Sequence, residues 1–456
     1  MNTVAPHAPP LPKDVNDEAR GLRHRLRDRL HVYELRRKKT LLSRVLLALA
    51  LVGPGILVML GDNDAGGVLT YAQTGAAYGL GIFLPLMIPL GVIAYVVQEM
   101  TIRLGAVTRR GHAELIWRRY GPFWGIFSLF DLVAANVLTL MTEFIGIRVG
   151  LSFFGVPGWL SVLLSLLFVT YVLVFLRYWS WERISLWVAV FNLVFVPVVI
   201  LARPDWGAVA RAFAGAHWMV SGGFLSATFL MLLSANIGTT IAPWQLFFQQ
   251  SCVVDKGLLP EDIPASRRDL MIGVTGMVIV ALAILTLGGA FLHGLPDAQN
   301  LSALVVIHDL VRRIGTLGAK LFALGLVEAG LIASIVITAS SAWAIGEALE
   351  LPRSINARPR DAWAFYAPAL FGTVLAGAFV LLPKLPLGFL NLSVQVIATV
   401  FMPAAMLFLL MLLNDRELMG EYVNSPRRNA ASIAILVLLI VCNALYGVVT
   451  LFPKAL

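Results

Sequence analysis

Two short runs in the chain hold residue types that could do chemistry together: Gly61-Asp62-Asn63-Asp64-Ala65-Gly66-Gly67 and Gly238-Thr239-Thr240-Ile241-Ala242-Pro243-Trp244. The first sets two carboxylates two residues apart inside an apolar stretch that carries no Lys or Arg. In the second, Pro243 removes a backbone donor and the two Thr supply hydroxyls. A helix broken at such a run exposes carbonyl oxygens, and the C-terminal end of its first half adds partial negative charge, so a pair of breaks can bind a cation. Thr239, Thr240 and the carbonyls near Ile241 and Ala242 are oxygen donors, and no Met, Cys or His falls in the second run. Oxygen ligation suits hard ions such as Mg²⁺, Ca²⁺ or Mn²⁺. A capping reading stands beside this one, because Asp is a favoured N-cap and Gly66-Gly67 suits a turn.

Other polar residues sit in apolar surroundings. Gln395 could reach the same depth, or serve as an interhelical hydrogen bond. Asp131 and Glu143 lie twelve residues apart, and either a relay or structural pairing fits them. Glu328 stands alone between Gly325 and Ser341, where it could line a permeation path. Asp62 and Asn63 extend the same candidate cation path. Glu99 is four residues before Arg103, the spacing of an ordinary helical ion pair. No phosphate-cradling loop or hydrolase elbow occurs, which removes the pointers to an ATP-driven pump or a membrane enzyme.

The elements that must position these runs follow from composition. With 59% hydrophobic and 13% charged residues in 456, and a mean hydropathy of +0.82, the chain cannot cover soluble domains with charge. Eleven apolar stretches are readable, at about 46–77, 79–101, 122–147, 159–176, 184–202, 219–254, 270–292, 317–346, 362–383, 386–413 and 431–452, each reaching the roughly 20 residues that a spanning helix needs. With the N-terminus cytoplasmic, 27 of the 35 Lys and Arg fall on inside segments. That asymmetry predicts an inside N-terminus and an outside C-terminus in the plasma (inner) membrane. The net charge of +9 is thereby explained without nucleic acid. Residues 1–44 read as a disordered basic cytoplasmic segment that sets orientation, with an interfacial amphipathic helix as the other reading. Cys252 and Cys442 are the two cysteines, too few for a disulfide framework.

The stretch at 219–254 would measure about 54 Å as one straight helix against a core of about 30 Å, so it must be interrupted. The same holds for 46–77. Four plain stretches follow each broken one, and one is left over. Asp64 and Ala242 are 178 residues apart, about five crossings, so the second set enters from the opposite side. The expected fold is an all-α membrane protein of eleven transmembrane helices. It forms a LeuT-like five-plus-five inverted repeat with helices 1 and 6 discontinuous, and a substrate site at mid-depth. Repeat one covers about 45–202, repeat two about 219–413, and the extra helix about 431–452, within a transporter domain of 45–456.

From Gly53-Pro54-Gly55 through Asp64-Ala65-Gly66-Gly67 to Gly75, Tyr78 and Gly79, the chain resembles the Nramp family of divalent metal transporters. The family's metal motif there reads Asp-Pro-Gly-Asn. The resemblance places Asp64 on its Asp and Gly67 on its Asn, and sets Ala242-Pro243-Trp244 where the family has Met-Pro-His. It also implies that Thr239 contributes a carbonyl contact, that Gln395 helps enclose the ion, and that Glu143 is the last carboxylate of a proton pathway. The departures carry meaning. Ala242 cannot supply a thioether, Gly67 lacks the amide oxygen, Trp244 replaces a His associated with proton transport, and Leu140 replaces a carboxylate. These changes are similar to the branch described as Nramp-related magnesium transporters, whose site accepts a larger, partly hydrated ion.

The expectation is a transporter, not an enzyme, that carries Mg²⁺ and also Mn²⁺ by alternating access without proton coupling. Its metal site is Asp64, Gly67, Thr239, Ala242 and Gln395, with Asp62, Asn63, Glu143, Trp244 and Glu328 as further cation-path residues. It implies no cofactor, a divalent ion as substrate, the bilayer as surroundings and no obligate protein partner. Three rivals remain: a proton-coupled Mn²⁺ or Fe²⁺ symporter, a sodium-coupled organic-solute carrier of the same fold, and a non-transporting receptor or membrane enzyme.

Overall fold

Backbone groups in a bilayer interior must be satisfied within the protein, and the chain meets that demand with helices almost throughout. The computed structural model describes residues 53–215, 223–351 and 354–451, all within one unit, Leu51–Leu456. The expectation for residues 1–44 lies outside the described residues. The helices run α1 (Pro54–Leu60), α2 (Ala65–Tyr78), α3 (Phe83–Thr108), α4 (His112–Tyr120), α5 (Pro122–Ser152), α6 (Gly158–Phe175), α7 (Tyr178–Phe191) and α8 (Phe195–Ala202). They continue as α9 (Trp206–Phe213), α10 (Ala227–Thr240), α11 (Pro243–Lys256), α12 (Ile263–Leu287), α13 (Ala303–Ala348, kinked at Gly315), α14 (Trp363–Val380), α15 (Leu387–Leu413) and α16 (Pro426–Leu451).

Among the described residues, nine helical elements are long and apolar enough to cross a membrane. Each of the two longest apolar runs is instead divided, as its breakers demand. Residues 61–64 separate α1 from α2, and Ile241 and Ala242 separate α10 from α11. Pro54 and Pro243 open α1 and α11 at the first helical positions, where the missing N–H costs nothing. Gly257, at φ 74°, closes α11 in the left-handed conformation that a side chain disfavours. A divided element followed by four long ones, α3, α5, α6 and the α7–α8 pair, recurs as a divided element followed by α12, α13, α14 and α15. The leftover is α16.

The divided elements form the centre. Every residue from Ala65 to Ala76 and from Pro243 to Val253 is buried. α5 packs along α13, α12 along α1 and α3, and α10 along α15. Apolar side chains face outward on the periphery, with Phe123 72% and Trp187 78% exposed, as lipid-facing surfaces require.

The stretch expected at 184–202 as a plain span lies within one long apolar helical element, Tyr178–Ala202, which tightens to a 3₁₀ turn at Asn192–Val194 between α7 and α8. Ionic contacts gather where α3 and α11 end and α7 and α12 begin. Glu99 pairs with Arg103 at 3.0 Å, as the i, i+4 spacing predicts, and also with Arg267 at 2.5 Å. Lys256 pairs with Glu182 at 2.8 Å, both buried.

Asp269 of α12 holds the start of α1, accepting Gly53 N–H at 3.1 Å and Gly55 N–H at 2.7 Å. Asp269→Ala leaves two buried donors unanswered, which costs about 2 kcal/mol or more. The expected outcome is a lower melting temperature of the purified protein in detergent. Melting unchanged from wild type would show that α1 does not depend on this cap.

Candidate metal centre

The first break exposes the backbone from Gly61 to Gly67, and side chains from α5, from α15 and from the turn between α7 and α8 answer it. Asp64 is the N-cap of α2, and its Oδ1 accepts Gly67 N–H at 2.5 Å. Glu143 of α5 accepts Ala65 N–H at 2.9 Å through Oε2 and the Thr142 hydroxyl at 2.9 Å through Oε1. Asn391 of α15 donates to the Gly66 carbonyl at 3.1 Å. Asn192 donates to the Asn63 carbonyl at 3.0 Å, and Asn63 itself donates to the Met277 carbonyl of α12 at 3.1 Å. Gln245 of α11 donates to Asp62 Oδ1 and accepts from Gln98 of α3 at 3.1 Å.

The carboxylates are close to one another. Asp64 lies against Glu143, and Asp62 is near enough to Asp64 for direct repulsion. No Lys or Arg occurs between residues 53 and 102. A buried group of like charges of this kind needs a positive partner, either a cation or a shared proton.

The second break faces the first. Thr239 Oγ1 and Gln395 Nε2 are buried with no hydrogen-bond partner, and both point at the Gly66-Gly67 turn. A Cβ built on Gly66 would stand 2.2 Å from Gln395 Nε2, and one on Gly67 would stand 2.4 Å from Thr239 Oγ1. These glycines are what let α10 and α15 close onto the start of α2. Thr240 is tied back to the Asn236 carbonyl at 2.7 Å and touches the Tyr71 hydroxyl at 3.3 Å. Ala242 sits at the break as the N-cap of α11 and has no side-chain cap. Trp244 is buried; its carbonyl accepts from Ser340 at 3.0 Å and its ring meets Phe248 edge-on.

Asp64, Gly67, Thr239 and Gln395 therefore converge, Ala242 sits in the second break three residues after Thr239, and Asp62, Asn63 and Glu143 line the first. Glu328 does not join them and lies beside Asn192 instead. Asp131, twelve residues before Glu143 on α5, is about 18 Å away along the axis. Among the described residues no three His, Cys, Asp or Glu side chains are arranged to hold a metal. An ion here would be held by one or two carboxylates with neutral oxygens, a set that suits an ion keeping part of its water shell.

Sequence reasoning missed Gln245, Asn192, Asn391 and Thr142. The first three are amides within apolar helices, and that pattern is a usable signal, since a polar side chain at such depth answers a broken backbone nearby. Glu143 was read as a path residue, and the structure shows that it also caps α2.

A family model described as natural resistance-associated macrophage protein-like matches residues 55–449. A divalent metal cation transporter MntH from Verminephrobacter eiseniae is 26% identical over 422 residues, covering 88% of each chain. The MntH of Brucella suis is 27% identical over 404 residues, covering 84% of each. Among solved structures, a manganese transporter of Eremococcus coleocola has a TM-score of 0.70 at 20% identity, covering 87% of this chain and 86% of its own. MhsT in complex with L-phenylalanine has a TM-score of 0.53 at 14% identity, covering 87% and 97%. The fold is the LeuT-like one of these transporters.

Gly66→Ala tests the close approach directly. The new methyl would also meet Thr142 Oγ1 at 2.7 Å, and overpacking of this kind costs about 1–3 kcal/mol. A lower melting temperature is expected in the ion-free protein, and wild-type stability would show that the two breaks do not need this contact.

Proposed function

The chain belongs to the Nramp family, and from that premise we propose that it is a plasma-membrane transporter carrying Mg²⁺, and also Mn²⁺, by alternating access. Eleven crossings, an inside N-terminus and an outside C-terminus complete the proposal. Its MntH relatives are named as divalent metal cation transporters, and a solved neighbour as a manganese transporter. The observation that carries the hard-ion reading is the donor set. Asp64, the hydroxyl of Thr239 and the backbone at Ile241 and Ala242 offer oxygen beside the Gln395 amide, and neither run, 61–67 or 238–244, contains Met or Cys. Mg²⁺ sheds water reluctantly and gains nothing from a thioether, whereas softer ions do. Metal entry is proposed to run without protons, because Trp244 and Leu140 cannot titrate.

The contact between Asp64 and Glu143 favours a second reading, a proton-coupled Mn²⁺ or Fe²⁺ symporter. Two carboxylates in one space need a positive charge between them, and a proton would serve when no metal is bound.

Liposomes holding purified protein and a pH dye separate these readings. Wild type is expected to take up Mg²⁺ and Mn²⁺ without internal acidification, and Asp64→Ala to fall to the level of empty liposomes. Near-normal uptake by Asp64→Ala would put the site elsewhere. A metal-dependent acidification lost in Glu143→Gln would establish the symporter.

Selectivity has its own test at position 242. Ala242→Met restores a sulfur ligand where the chain has none, while Gly67 leaves no room for a side chain beside Thr239. Competition by excess Mg²⁺ against Mn²⁺ or Cd²⁺ uptake is expected to weaken on the order of tenfold, the factor that 1.4 kcal/mol supplies. Equal competition in both proteins would mean that ligand softness at this position does not set selectivity.

A further inference from the structure

Next to the first break, Glu328, Asn192 and the Asn63 side chain hold a second group of buried oxygens, none of them among the groups that converge on the Gly66-Gly67 turn. Glu328 of α13 is 7% exposed, and neither of its carboxylate oxygens has a hydrogen-bond partner. Its neighbour is the Asn192 side chain. Asn192 is fully buried in the turn between α7 and α8, and its Oδ1 is likewise without a partner. The Asn192 amide nitrogen bonds the Asn63 carbonyl at 3.0 Å, and Asn63 presents a further partnerless oxygen, Oδ1, its own nitrogen being engaged by Met277. α13 is pressed onto the same turn one helical turn before Glu328, where a Cβ on Gly325 would stand 2.7 Å from Phe195 and 2.8 Å from Val194.

Four orphaned acceptor atoms on three chain segments are an expensive arrangement in an apolar interior, since each has given up its hydration with no hydrogen bond in return. No basic residue supplied by these segments can compensate. Residues 53–102, 184–202 and 321–351 contain no Lys, Arg or His. Two of the three segments are also irregular at this level, at the first break and at the 3₁₀ turn Asn192–Val194.

We propose that Glu328, Asn192 and Asn63 hold a monovalent hard cation of the alkali class, Na⁺ by size and oxygen preference, at a site separate from the Asp64 centre. One carboxylate balances one positive charge, and neutral amide and carbonyl oxygens complete the shell without adding charge. A divalent ion would be left under-compensated here. The bound ion joins the first break, the α7–α8 turn and α13, so it steadies the arrangement in which Asn192 supports the Asn63 carbonyl.

The test is thermal melting of the purified full chain in detergent, free of divalent ions, in NaCl, KCl or choline chloride at equal ionic strength. A saturable rise in melting temperature with Na⁺ over choline is expected in wild type and in Asp64→Ala, and its loss is expected in Glu328→Gln. If Glu328→Gln does not yield monodisperse protein, Asn192→Leu is read in the same way. Equal melting of wild type in Na⁺, K⁺ and choline overturns the proposal and leaves water as the occupant. A Na⁺ shift that survives in Glu328→Gln, or one that disappears in Asp64→Ala, also overturns it by moving the ion elsewhere. Adding MnCl₂ to the same samples reads the Asp64 centre independently, because a Mn²⁺ shift lost in Asp64→Ala tests that reading whatever Na⁺ does.

Discussion

A helix broken inside a bilayer releases backbone donors and acceptors that water cannot reach, and the centre of this protein is built to answer those released groups. Ala65 and Gly67 find carboxylates, Gly66 and Asn63 find amides, and each partner comes from a different part of the chain. Glu143 and Asn391 are 78 and 325 residues from the groups they satisfy. The break at residues 61–64 therefore fixes how α5, α7, α12 and α15 must sit, since moving any of them would strand a buried polar atom.

The same demand explains how charge is distributed. At the end where α3 and α11 finish, acids have bases: Glu99 with Arg103 and Arg267, Glu182 with Lys256. At mid-depth the acids have none. Asp62, Asp64 and Glu143 are bonded to amides, hydroxyls and backbone N–H groups, which reduce the cost of their charge without cancelling it. A structural role alone does not call for carboxylates in that position, because an Asn or a Ser caps a helix about as well as an Asp. Their charge is the feature that capping leaves unexplained, and it is the feature a cation would use.

Both breaks were legible because their causes are local: Pro243 forbids a backbone bond, and Gly-Asp-Asn-Asp followed by two glycines has poor helix propensity and good capping chemistry. The predicted interruption at 238–244 narrows to Ile241 and Ala242 because Thr239 and Thr240 fold into the last turn of α10. The 3₁₀ turn at Asn192–Val194 was not legible, since Asn-Leu-Val carries no breaker and the bond from Asn192 to the Asn63 carbonyl spans 129 residues. Contacts such as Gln245 with Asp62 were hidden for the same reason. A pairing across 183 residues leaves no trace in spacing, only a polar residue where the pattern asks for an apolar one.

The departures of this chain from the family motif gain a single physical sense from the closed geometry. Gly67 and Ala242 give up two side-chain ligands, and in exchange the backbone of one break approaches the hydroxyl and amide of the facing elements. Small residues at a helix crossing let main chains come together, and main chains bring carbonyls. Direct ligands of larger size would grip an ion stripped of water, whereas short ligands set back on the backbone leave space for water to remain between ion and protein. Selectivity in such a site rests less on the affinity of any one atom than on how much hydration the ion keeps, and that favours the ions that hold their water most firmly.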